Sequence, residues 1–94
     1  MDRLRTFRLA DGGWAIAVRG DLDGEAVLMI VEEVSSCIGG AVVVDLRHAR
    51  FVDRLALDAL ESVRATFVAE RPLRDAFEGR LVAVAPDLRA AFAP

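Results

Sequence analysis

A single imidazole, His48, and a single thiol, Cys37, are the groups in this 94-residue chain best suited to nucleophilic or metal chemistry. Any serine or cysteine relay through histidine would have to run through His48, and the chain holds no lysine for a Schiff base and no tyrosine for acid catalysis. One cysteine closes no intrachain disulfide, and one cysteine with one histidine builds none of the common zinc sets. This inventory disfavours an enzyme and implies neither a cofactor nor a metal. His48 stands beside Arg47 and Arg50 and reads as a solvated loop residue, while Cys37 lies near an apolar stripe and reads as buried filler. All 12 basic residues are arginine and they face 15 acids, for a net charge of −3. That is the wrong sign for a protein that neutralises phosphates, so no nucleic-acid partner is expected.

Two aspartates remain that could organise a surface, Asp23 and Asp53, each placed just before an apolar-periodic segment where its carboxylate can accept the unpaired N–H groups of a helix start. The elements that carry them follow from the pattern. Apolar stretches over residues 3–9 and 14–18 flank Asp11-Gly12-Gly13 and predict a β-hairpin, with Trp14, Ile16 and Val18 facing the core and Ala15 and Ala17 facing away. Residues 20–24 break the strand. A helix over residues 24–38 follows, its stripe formed by Val27, Ile30, Val31, Val34 and Ile38, and Gly39-Gly40 stops it. Ala41-Val42-Val43-Val44 is apolar on both faces and predicts a central strand ended by Asp45. A second helix over residues 55–67 is expected from Ala56, Leu60, Val63 and Phe67, capped by Asp53. Residues 70–79 form a loop with at most one helical turn near Pro72, residues 81–85 a second doubly buried strand, and residues 88–92 a short last helix.

Strands alternating with helices call for a largely parallel sheet with crossover helices. The expected architecture is a single α/β domain over residues 1–94: a mixed β-sheet of about four strands, opened by a hairpin, with helices packed on it. The longest unbroken apolar run, residues 26–31, is far short of the roughly 20 residues that cross a bilayer. Membrane insertion is therefore not expected. The N-terminus mixes charges from the start with no signal-peptide pattern, which places the chain in the cytoplasm as an expectation.

Four segments, in order along nearly the whole chain, resemble the STAS domains of bacterial anti-sigma factor antagonists and sulphate transporters. Gly20-Asp21-Leu22-Asp23 resembles the Gly-Glu-Leu-Asp approach to their first helix; Val42-Val43-Val44-Asp45-Leu46 their central strand; Phe51-Val52-Asp53 the approach to their phosphorylation loop; and residues 79–84 their last strand. The resemblance implies a docking surface comprising Asp23, Asp53, Arg54, Leu55, Ala56 and Asp58. Its implied partner is an anti-sigma factor or serine kinase regulator, with a homodimer left open. Family members carry Asp-Ser-Ser-Gly or Asp-Ser-Thr-Gly at the second helix start, with the serine after the aspartate phosphorylated. Here the residues are Asp53-Arg54-Leu55-Ala56, and no Ser or Thr occurs between positions 46 and 61. The scaffold is thus expected without the usual phosphate switch. An alternative implied by the missing serine is the STAS subunit of a bacterial lipid-transport ABC system, bound to its ATPase. Leu55, Leu28 and Met29 lie off their helix stripes and are the apolar candidates for contact with a partner.

Overall fold

The computed structural model describes residues 3–51 and 54–92. Strand β1 (Leu4–Arg8) pairs antiparallel with β2 (Trp14–Leu22) across the turn at residues 9–13. Helix α1 (Gly24–Ser36) returns the chain to β3 (Val42–Phe51), which lies parallel to β2. A 3-10 helix (Arg54–Ser62) leads to β4 (Thr66–Val68), α2 (Leu73–Ala76) to β5 (Ala83–Ala85), and α3 (Leu88–Phe92) follows. The sheet has the spatial order β1-β2-β3-β4-β5, antiparallel at the hairpin and parallel elsewhere.

One face of this sheet carries the main core. Ile16 and Val18 from β2, Val44 and Leu46 from β3, and Phe67 from β4 pack against Val27 and Ile30 of α1 and against Leu57 and Leu60 of the 3-10 helix. Phe77, just past α2, stacks on Phe67 with ring centroids 5.7 Å apart. On the opposite face α3 packs across β3, β4 and β5, where Val43 and Val68 are buried.

The sequence pattern and the structure diverge in five places, each with a physical cause. Phe67 belongs to β4, not to a helix over residues 55–67, because Thr66-Phe67-Val68 pairs in register with Val43, Val44 and Asp45 and supplies a fifth strand. The residues before it adopt 3-10 geometry. Strand β3 does not stop at Asp45: β3 advances by three residues while β2 advances by two between Ala17 and Arg19. This irregularity is bridged by the Asp45 carboxylate, which accepts the Arg47 backbone N–H at 3.0 Å, and the ladder resumes as far as Phe51. His48 is exposed, as expected, but on a strand. Likewise β2 continues through Gly20, which adopts φ +85, to Leu22. Helix α1 ends two residues early because Cys37 turns to an extended conformation, leaving Ile38 76% exposed. Finally, β5 is an edge strand, and Leu81 before it is 88% exposed.

The two glycine turns at the other end of the sheet touch each other. A Cβ on Gly40 would collide with the Gly12 carbonyl and lie 3.0 Å from the Gly13 Cα, and the Trp14 N–H donates to the Ala41 carbonyl at 2.8 Å.

Candidate functional site

The carboxyl ends of parallel strands β2 and β3 lie side by side, with Asp21 opposite Arg50 and Leu22 opposite Phe51. Such strand ends are where open α/β sheets gather functional groups, since the loops leaving them are free of the ladder. Asp21 and Arg50 form an ion pair at 2.9 Å. Arg3 reaches across from the start of the chain, donating through Nη2 to the Asp21 carbonyl and to Asp23 Oδ1, the latter at 3.2 Å.

Asp23 is the cap the sequence predicts. Its backbone is extended, and its carboxylate accepts the Ala26 N–H at 2.9 Å. The bond from Ala26 is the main reason its carboxyl lies below the ordinary aspartate value; partial burial opposes the shift and Arg3 adds to it. Asp23 thus joins helix start, hairpin and strand end into one charged cluster with Arg3, Asp21 and Arg50.

Beside this cluster the 3-10 helix presents the remaining predicted residues. Arg54 and Asp58 are exposed, Leu55 is 74% exposed and Ala56 is half-buried, whereas Leu57 and Leu60 at a spacing of three turn inward to the core. Asp53 lies outside the described residues. Because Arg54 follows Phe51 by three positions, the 3-10 helix begins within about 11 Å of the β3 end. Helix α1 packs against the 3-10 helix and exposes Leu28, while Met29 is half-buried.

One residue absent from the expected set organises this surface. Arg80 donates through Nη1 to the Asp58 carboxylate, lies 3.5 Å from Glu61 Oε2 through the same nitrogen, and donates through Nη2 to the Arg54 carbonyl at 3.0 Å. The Leu81 N–H adds a bond to Glu61 Oε1 at 3.1 Å. These partners are about 20 residues apart along the chain, and neither helical nor strand periodicity relates residues at that separation. The same is true of Arg3, whose charge at the start of the chain gave no signal of its role.

Chemically, the cluster offers ion pairs, an exposed leucine and backbone-capped carboxylates, which suit recognition of a protein surface. No group of three or more metal-ligating side chains occurs among the described residues. Cys37 lines an open cleft of about 440 Å³ at the opposite end of α1, together with Val31, Val34, Val42 and Val63. Burial, aided by Glu33, pushes its thiol above the ordinary cysteine value and so away from the reactive thiolate. No described helix is long and apolar enough to cross a membrane.

No family model matches the sequence, and no curated protein sequence matches it. Among solved structures, the chain is similar to the anti-sigma factor antagonist SpoIIAA in its unphosphorylated form, with a TM-score of 0.60 and 16% identity over 92% of this chain and 90% of that one. At that identity the likeness is one of fold, and it bears out the STAS-like mixed sheet with packed helices that the sequence motifs implied.

Proposed function

We propose that this protein is a non-enzymatic interaction module that docks a regulatory protein, as an anti-sigma factor antagonist does, through the start of its 3-10 helix. The observation that carries this reading is Leu55: a large apolar side chain, 74% exposed, held beside Arg54 at the position where the resembling family places its regulated loop. An exposed leucine adds little to the core but can anchor an interface when a partner desolvates it. Asp23, Ala56 and Asp58 border it in this reading, and Asp53 is assigned to the same surface.

With no hydroxyl between positions 46 and 61, docking is constitutive, set by abundance or by the partner's own state. Arg54 carries a fixed positive charge at a helix start, where a phosphoserine would place a charge of about −2. The missing hydroxyl also favours a second reading, a subunit of a bacterial lipid-transport ABC system bound to its ATPase, for which no phosphate switch is needed.

The test is Leu55→Asp. The variant is expected to lose capture of its partner from the native extract while its melting temperature stays close to that of the parent. The captured protein is an anti-sigma factor or kinase in the first reading and a transporter ATPase in the second. A large loss of stability would place Leu55 in the core, and undiminished capture would remove it from the interface.

A further inference from the structure

We propose that the cleft between the end of α1 and the end of the 3-10 helix binds a single-chain anionic amphiphile, an alkyl carboxylate or alkyl phosphate, with its chain against the valine walls and its head at Arg64. The proposal does not depend on the docking role given to Leu55, which lies at the other end of the 3-10 helix.

The cleft follows from how α1 ends. The apolar stripe of the helix runs on toward Ile38, but Cys37 leaves helical geometry and Ile38 turns out to solvent. Gly39-Gly40 brings no side chain to close the gap, and Gly40 cannot carry one against the Gly12 carbonyl. Val31, Val34 and Val63 pack on the core yet stay half-buried, and with Val42 they wall the open space of about 440 Å³. Small-molecule sites commonly span about 300–1,000 Å³ and are lined mainly by apolar side chains with a few polar groups that fix orientation.

The charge on this cleft has one sign. Arg64 lines it, is exposed, and forms no ion pair among the described residues. No carboxylate lines it, whereas three other clefts carry Glu32, Glu78 and Glu70 in their walls. Its two hydroxyls already donate elsewhere, Ser35 Oγ to the Val31 carbonyl and Ser62 Oγ to the Ala59 carbonyl, each at 2.9 Å. The guanidinium of Arg64 is thus the lining side chain with strong donors to offer, and its planar fork matches a carboxylate or a phosphate. The net charge of the chain is −3, but the charges bearing on Cys37, Glu33 and Arg8, are opposite in sign, so the local field does not mirror the net charge. Apolar walls with one cation select a ligand that is apolar along its length and anionic at one end. A sugar or nucleotide would instead press many polar groups against valines.

Cys37 lines the same cleft and is the only thiol of the chain, so its alkylation reports occupancy. The test follows N-ethylmaleimide addition to the whole protein by intact mass, at fixed alkaline pH, while decanoate, decyl phosphate or decanol is titrated below its micelle concentration. Decanoate or decyl phosphate is expected to slow alkylation saturably, with half-effect below about 1 mM, and the tighter of the two identifies the head as carboxylate or phosphate. Across alkyl chains of six, eight and ten carbons, affinity should rise by up to about fourfold per methylene that the valines cover. Arg64→Gln should weaken the tighter anion by about two- to fivefold, as for an exposed ion pair, and leave decanol unchanged. Ser35→Trp covers the cleft from an exposed helical position, and with binding read from the Val34 and Val42 amide shifts it should abolish binding of either anion. If that variant unfolds, Ser62→Trp covers the cleft from the opposite wall. Absence of protection by both anions, a flat chain-length series, decanol binding as tightly as the anions, or undiminished binding in a folded tryptophan variant would each refute the site.

Discussion

Replacing Asp45 by asparagine isolates the charge that holds the irregularity in β3. Asp45 is 8% exposed, and its carboxylate accepts Arg47 Nε at 2.9 Å, Arg47 Nη2 at 3.0 Å and the Arg47 backbone N–H at 3.0 Å. Burial pushes its carboxyl up, but the bonds from Arg47 outweigh that and hold it below the ordinary value of 3.8. A carboxyl whose native pKa is lower than its unfolded one stabilises the fold fully above the unfolded value and loses that contribution as pH falls through the native value. Asp45→Asn keeps the shape, and a carbonyl to accept one bond, but removes the anion facing a half-buried guanidinium. Hydrogen bonds to charged groups contribute about 1.5–3 kcal/mol, and partial exposure of Arg47 argues for the lower half, so a loss of about 2 kcal/mol is expected at pH 7. For a domain of this size that is a fall of about 8–16 °C in Tm. Urea denaturation from pH 7 to below pH 3 should show the two proteins converging as Asp45 protonates in the parent. Equal stabilities at pH 7 would refute the reasoning, and so would a difference that persists undiminished at the acid end.

Phe67→Ala should cost about 3–5 kcal/mol, since it empties a fully buried site and breaks the stack on Phe77; denaturant midpoints measure it. Against a total of about 5–15 kcal/mol for a small domain, the variant should be barely folded at physiological temperature. Incubation of the protein with a partner serine kinase and ATP should add no phosphate between positions 46 and 61, as read by peptide mass. A phosphopeptide from that segment would contradict the constitutive reading, and one carrying Ser35, Ser36 or Ser62 would show that the switch had moved.

Legibility along the chain depended on whether a signal was local. The Asp23 cap and the buried Val27 and Ile30 of α1 are local features, and the structure has them where the pattern puts them. The stretch containing Ala56, Leu60, Val63 and Phe67 is ambiguous, because Leu60 and Val63 fit either helical period and Phe67 is drawn into the sheet by pairing with Val44. Local patterning contains no term for that pairing. Apolar runs likewise say nothing of position across a sheet: residues 42–44 and 81–85 read alike, yet one is central and the other lies at an edge. Of the surface, the motif resemblance singles out Leu55, Arg54 and Asp58, which are exposed, but not Arg80 or Arg3, because ion pairs between distant segments have no periodicity to betray them.

The contact between the two glycine turns also governs where the chain can be opened or extended. By sequence, Gly39-Gly40 is an inviting place to splice in a tag, a reporter or new termini, since it is short, polar and at a helix end. The backbone of Gly40 leaves no room for a side chain against the Gly12 carbonyl, so any graft there would lever the hairpin away from β3. The exposed stretch around Glu78 and Gly79, where Gly79 has open space around it, is the better graft point on steric grounds alone. Next to Arg80, however, a graft there would also disturb the bonds from Arg80 to Asp58 and to the Arg54 carbonyl, so a reporter at that position would register whether the loop before β5 still holds the 3-10 helix.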